Sequence, residues 1–112
     1  MNKNKRKPSH PGAILDELYI KPLNMNLNEF AGALGISRNA LFKIRTGRAS
    51  ITPRIALRLS EAFKTTPNLW LNLQQKYDIW IEENEKEHIP IPPFLRPDHY
   101  IKISHKKHRM LA

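Results

Sequence analysis

The sequence predicts an all-α fold of five helices, and three observations carry that prediction. Apolar residues recur at helical spacing from Pro11 to about Asn84, with no alternating β-pattern before residue 88. Two Thr-Pro pairs, Thr52-Pro53 and Thr66-Pro67, each set a capping hydroxyl before a proline. Proline suits the first helical position, where its missing N–H has no intrahelical partner to lose. Gly35 and Gly47 fall where helices should stop, and glycine takes the positive φ that such a stop requires.

Taken in order, the first helix begins near Pro11 and carries Ile14, Leu15, Leu18 and Tyr19 at helical spacing. It is expected to end before Pro22, which cannot donate to the helical ladder. Asn26 is placed to cap the second helix, with Glu29 three residues on as the return partner of a capping box. Ser37 caps the third, which runs to Gly47 as its stop. The fourth starts at Thr52-Pro53 and should bury Ile55, Ala56, Leu59, Ala62 and Phe63. The fifth starts at Thr66-Pro67 and reaches about Asn84. The chain thus divides into a basic arm over 1–10, a helical domain over 11–85 and an extension over 86–112. Prolines exclude a continuous helix from that extension, while its HYIKIS run alternates as a short strand does.

Leu27 to Gly47, LNEFAGALGISRNALFKIRTG, has the pattern of a helix-turn-helix. Ala31 is small where the following helix crosses close. Gly35 makes the sharp turn, and Ile36, Leu41 and Ile44 fill the angle between the two helices. Ser37, Arg38, Asn39, Phe42, Lys43 and Thr46 are left outward on a mostly polar and basic face suited to the major groove of DNA. Ser37, Arg38, Asn39 and Lys43 are the candidate base readers. An arginine donates two hydrogen bonds to guanine O6 and N7, and an asparagine pairs bidentately with adenine. Arg45, Thr46, Arg48, Ser50 and Thr52 follow the helix and are placed for phosphate oxygens, contacts that fix position without reading sequence. Phe42 either packs on thymine methyls or turns back into the core.

The charge distribution agrees. The net charge of +9 over 112 residues is uneven: no acid lies between Phe30 and Ser60, where Arg38, Lys43, Arg45, Arg48, Arg54 and Arg58 all fall. Such a zone is the electrostatic footprint of a nucleic-acid binder. Lys3, Lys5, Arg6 and Lys7 make the N-terminal arm basic, for a phosphate backbone, a minor groove or simple disorder. From Asp78 to Glu87 the sign reverses, a run best read as a solvated helix end. The fifth helix carries Leu69, Trp70, Leu71, Leu73, Tyr77, Ile79, Trp80 and Ile81, more apolar surface than one small core needs. A homodimer contact through Trp70, Leu73, Tyr77 and Trp80 is expected, with completion of the monomer core as the alternative.

Other classes fit poorly. Without cysteine there is no disulfide or thiolate metal site, and a reducing cytoplasm is the natural setting. No apolar run reaches the roughly 20 residues that span a bilayer, and the basic N-terminus lacks the apolar segment of a secretory signal, so no membrane association is expected. No phosphate loop, nucleophile elbow or metal-spaced cluster is present, so neither an enzyme nor a cofactor is expected. His105 and His108 sit three apart, but with lysines between them and no carboxylate near, so no metal site is assigned there.

HPGAILDEL, ALGISRN, RASITPRIALRLSEAF and TPNLWLNLQQKYDIW together resemble the HigA antitoxins, the branch of Cro/C1-type (XRE) helix-turn-helix proteins also called virulence-associated protein I. The resemblance covers about residues 9 to 82 without gaps. It implies a five-helix repressor domain that homodimerises, binds the operator of its own operon and neutralises a HigB toxin, a RelE-like messenger-RNA endonuclease. His10 belongs to this family's pattern and is most simply a helix-start residue. Asp16, Glu17, Glu82 and Glu83 are the candidate surface for a basic toxin. Two departures stand out: Phe42 lies where the family has a small or polar residue, and Leu27 replaces a glutamine that anchors a phosphate in many relatives. A stand-alone repressor without a toxin partner is the alternative.

Overall fold

Five helical stretches and no strand occupy the described residues, 6–94 of this computed structural model. The first, α1, covers 11–23 and changes pitch on the way: Pro11–Leu15 is α-helical, Asp16–Ile20 π-helical and Lys21–Leu23 α-helical again. The Lys21 N–H reaches back five residues to the Asp16 carbonyl. This corrects the expectation that the helix stops before Pro22. In a regular helix the Pro22 ring would crowd the carbonyl four residues back and leave it without a donor. A widened π turn just ahead of it accommodates the ring. The helix then ends on Asn24 in the left-handed conformation, φ 49°.

The other starts and stops follow the predicted residues. In α2, Leu27–Leu34, Asn26 Oδ1 accepts the N–H groups of Asn28 and Glu29, while the Glu29 side chain makes no return bond, so only the Asn26 half of the expected capping box forms. Gly35 (φ 74°) closes it, with Ile36 N–H bonding back to the Ala31 carbonyl. In α3, Arg38–Arg45, Ser37 Oγ accepts from Ala40 N–H, and Gly47 takes φ 80° beyond the last turn. Thr52 and Thr66 cap α4, Pro53–Phe63, and α5, Pro67–Asn84, each hydroxyl accepting an N–H three residues on.

The core is built from one face of every helix. Leu15, Ile20, Phe30, Leu34, Leu41, Ile44, Ile55, Leu59 and Trp70 are buried, with Ile51 from the α3–α4 loop. Tyr19, Phe30, Phe63 and Trp70 form an aromatic cluster with ring centroids 4.6 to 5.7 Å apart, locking α1, α2, α4 and α5 together. One sequence expectation fails here, because Ala62 is exposed, and Leu18, which shares the apolar spacing of α1, is exposed as well. Leu18 sits in the π turn, where the extra residue breaks the 3.6-residue register that would have carried it inward. Helix α5 packs on α4 and α1, α1 packs on α3, and α2 packs on α3 and α4. The consequence for function is that α3 has its back to the core and its front to solvent.

Candidate nucleic-acid interface

Helix α3 presents Arg38, Asn39, Phe42, Lys43 and Thr46 to solvent while Leu41 and Ile44 are buried behind them. At about 100° per residue these exposed positions span roughly 140° of the helix circumference, one continuous stripe. Arg38 and Asn39 open the helix, where its backbone N–H groups and positive dipole end also point outward. Ser37 accepts the Ala40 N–H on its hydroxyl oxygen and so keeps its own proton to donate. Arg38 Nη1 lies 3.5 Å from Asn28 Oδ1 on α2, a long contact that leaves the guanidinium free to turn into a groove. Asn28 thereby joins the edge of the stripe, although its polar side chain in a first helical turn gives no sign of this in the sequence.

Around the stripe lie further donors. Arg48, Ser50, Thr52 and Arg54 are exposed between and at the start of α3 and α4. Thr52, like Ser37, accepts a helix N–H and retains its hydroxyl proton, at a helix N-terminus fit for a phosphate. Arg54 and Arg58 converge on the turn between α2 and α3: a Cβ on Gly35 would lie 2.9 Å from a guanidinium nitrogen of each. Arg58 Nη1 also donates to the Ala33 carbonyl at the C-terminal end of α2.

Two of the expected phosphate ligands also bond within the chain. Arg45 Nε donates to Asp16 Oδ1 at 2.8 Å in a mostly buried ion pair. The pair ties α3 to α1 through one of the five guanidinium N–H donors of Arg45 and one carboxylate oxygen of Asp16, the residue expected at the toxin surface. The Thr46 hydroxyl donates to the Phe42 carbonyl at 2.8 Å, so its one proton is not available to a phosphate oxygen.

Behind the stripe, α1 fixes where α3 lies. A Cβ on Gly12 would fall 1.7 Å from the Ile44 carbonyl oxygen, so only glycine allows this backbone approach. His10, just before it, is buried, accepts the Gly12 N–H on Nδ1 at 2.9 Å and meets the Tyr77 ring edge-on at 4.9 Å. Burial pushes its pKa below the ordinary histidine value, against an opposing pull from Asp78. The neutral form is the one whose Nδ1 accepts. Gln74 of α5 secures the loop after α3: its Oε1 accepts the Ile51 N–H at 2.8 Å and its Nε2 donates to Asp78.

The residues expected at a dimer contact do not all reach a surface. Trp70 is fully buried and donates its indole N–H to Thr65 Oγ1, so it belongs to the core and cannot meet a second copy. Its position one turn into α5 points it between α1 and α4, against Tyr19. Leu73 packs partly against the core, and Tyr77 and Trp80 are half-buried with Lys7 lying 5.7 and 5.6 Å from their ring centres. The outward apolar residues of α5 are Leu69 and Ile79.

Of the other candidate acids, Glu17 pairs with Lys21 and Glu82 with Lys86, each across one exposed helical turn, while Glu83 is half-buried. Lys7, counted with the basic arm, pairs with Glu85 at 2.8 Å, and that hydrogen bond raises its pKa above the usual lysine value. The remainder of the arm before residue 6, the HYIKIS run, His105 and His108 lie outside the described residues. No helix among the described residues is long and apolar enough to cross a membrane.

Known proteins share this arrangement. Residues 17–70 match the helix-turn-helix family. An uncharacterized HTH-type transcriptional regulator of Haemophilus influenzae is 38% identical over 81 residues, 72% of this chain and 76% of that one. Virulence-associated protein I of Dichelobacter nodosus is 37% identical over 80% of this chain and 82% of its own. Antitoxin HigA-1 of Vibrio cholerae is 32% identical over 75% and 79%. Among solved structures, antitoxin GraA superposes with a TM-score of 0.66 at 37% identity, over 70% of this chain and 85% of that one. Antitoxin GraA in complex with its operator gives 0.66 at 31% identity, over 80% and 97%.

Proposed function

The chain belongs to the HigA antitoxin family of XRE-type helix-turn-helix proteins, a DNA-binding family rather than a catalytic one, and on that premise we propose that it represses its own operon as a cytoplasmic homodimer and neutralises a toxin encoded beside it. One observation carries the DNA half: a continuous exposed stripe on α3, headed by Arg38 and Asn39, set in a zone with no acidic residue between Phe30 and Ser60. In this assignment Ser37, Arg38, Asn39 and Lys43 face base edges. Arg48, Ser50, Thr52 and Arg54 face phosphates, and Arg45 and Thr46 serve the fold. A relative solved with its operator supports operator binding, and a helix-turn-helix docks with the N-terminal residues of its second helix, here the first turn of α3, in the major groove.

The toxin half rests on the family and on the acidic end of α5. Its partner would be a HigB-type, RelE-like messenger-RNA endonuclease, a basic protein for which Glu17, Glu82 and Glu83 remain candidate contacts. A second reading, a repressor without a toxin, is favoured by the pairing of Asp16, Glu17 and Glu82 within the chain itself. Related proteins described only as transcriptional regulators fit it too.

Titration of the DNA upstream of its own gene tests the first half. Arg38→Ala should cost about 1–3 kcal/mol at the cognate site and relax the preference at one base. Arg48→Ala should weaken all sequences alike and lower the salt slope by about one. An Arg38→Ala protein with wild-type affinity would remove the reading face from α3. Co-expression with the neighbouring gene product tests the second half: rescue of growth supports the antitoxin, and no rescue leaves the repressor.

A further inference from the structure

We propose that Phe42 reads the C5-methyl group of thymine, and so contributes base specificity that none of the polar readers supplies; the proposal rests on the DNA-binding reading above. The sequence leaves Phe42 two places to go, and the structure excludes the core, because the residue is 48% exposed. Its position matters more than its exposure, since single exposed apolar side chains are common. Counting about 100° per residue, Phe42 lies roughly 40° from Arg38 and roughly 60° from Asn39, near the middle of the stripe and one turn in from its leading end. Any docking that brings Arg38 and Asn39 to base edges therefore brings Phe42 there as well.

The chemistry of the groove selects its target. Base edges in the major groove offer hydrogen-bond donors and acceptors, and a single apolar group, the methyl of thymine. A phenyl ring can make no hydrogen bond to the donors and acceptors, and it would strip water from them without replacement. Against the methyl it loses nothing and buries apolar surface on both sides. Arg38, Asn39 and Lys43 hold the ring in that position through their own contacts, so its ordering costs little beyond theirs.

The test uses the full chain and a duplex site chosen by selection from random sequence. Each thymine of the site is replaced in two-fold-related pairs by deoxyuridine, which removes the methyl and keeps the pairing edge. One pair should weaken wild-type binding about four-fold per methyl, the effect of burying one methylene-sized group, and so about fifteen-fold for the pair. Phe42→Ala should bind the thymine duplex more weakly and no longer distinguish it from the uracil duplex, while Phe42→Leu keeps part of the discrimination. Because the side chain is exposed, both variants should melt with the wild type. Discrimination at no position, or discrimination of equal size in Phe42→Ala, overturns the proposal and turns Phe42 toward a protein partner instead. Failure of the wild type to select any site overturns the DNA-binding reading itself, a result plainly different from a selected site that ignores uracil.

Discussion

Gly12 and Gly32 show how much a single Cβ decides in this fold. Gly12 is buried where α1 crosses α3, and a methyl there would overlap the Ile44 carbonyl, an atom of the recognition helix backbone. Backbone cannot rotate aside as a side chain can, so α1 and α3 would have to separate. Gly32 lies on the exposed side of α2, and a Cβ there would meet nothing within 4 Å. Glycine inside a helix is worse than alanine by roughly 0.5–1 kcal/mol. The two substitutions should therefore act with opposite sign. In urea unfolding Gly12→Ala should lose about 1–3 kcal/mol, the usual cost of overpacking, and Gly32→Ala should gain about 0.5–1 kcal/mol. Gly12→Ala should also weaken operator binding, since the displaced element carries the proposed readers. Equal stability of the two variants would mean that α1 does not set the position of α3.

At the scale of elements, the link between α5 and the loop after α3 runs through Gln74. Its side chain satisfies the buried Ile51 N–H and is itself steadied by Asp78. Gln74→Leu keeps the volume and removes the acceptor. It should cost about 1–3 kcal/mol, the desolvation of one orphaned N–H, and should speed exchange of the Ile51 amide well beyond that of its neighbours in α4. Unchanged Ile51 exchange would show that the loop is held by packing alone. This contact also marks the limit of what the sequence discloses. Caps and stops were legible, because Ser37, Thr52, Thr66 and Gly35 act on residues within a few positions of themselves. Gln74 meets Ile51 across 23 residues, and glutamine is ordinary on a solvated helix, so nothing local flags it. The π turn escaped for a related reason: Pro22 reads as a stop, and only a changed hydrogen-bond pitch lets the helix pass it. The exposed polar stripe of α3 was legible as a pattern, whereas the pairing of Arg45 with Asp16 depends on α1 lying beside α3.

For the whole molecule, the remaining question is how two such domains would sit on one palindrome. Two recognition helices must lie roughly 34 Å apart to enter successive major grooves of one face, so the contact of the proposed dimer must leave both α3 stripes clear. Helix α5 packs on α4 and α1, and its apolar residues divide between the core and an exposed face. Trp70 is core, and truncating it should cost about 3–5 kcal/mol and unfold much of the protein. Ile79 is 49% exposed and makes no comparable contribution to the monomer. If this face joins two copies, Ile79→Glu buries one charge from each copy against the other. It should give monomers by sedimentation at concentrations where the wild type is dimeric, with an essentially unchanged monomer melt. Binding to a full palindrome should fall toward that of a half-site, while binding to an isolated half-site should not change. A charge at residue 79 that left the dimer intact would move the contact off the outward face of α5. The symmetry of the site would then have to come from another surface, with α5 left to face a partner of a different kind.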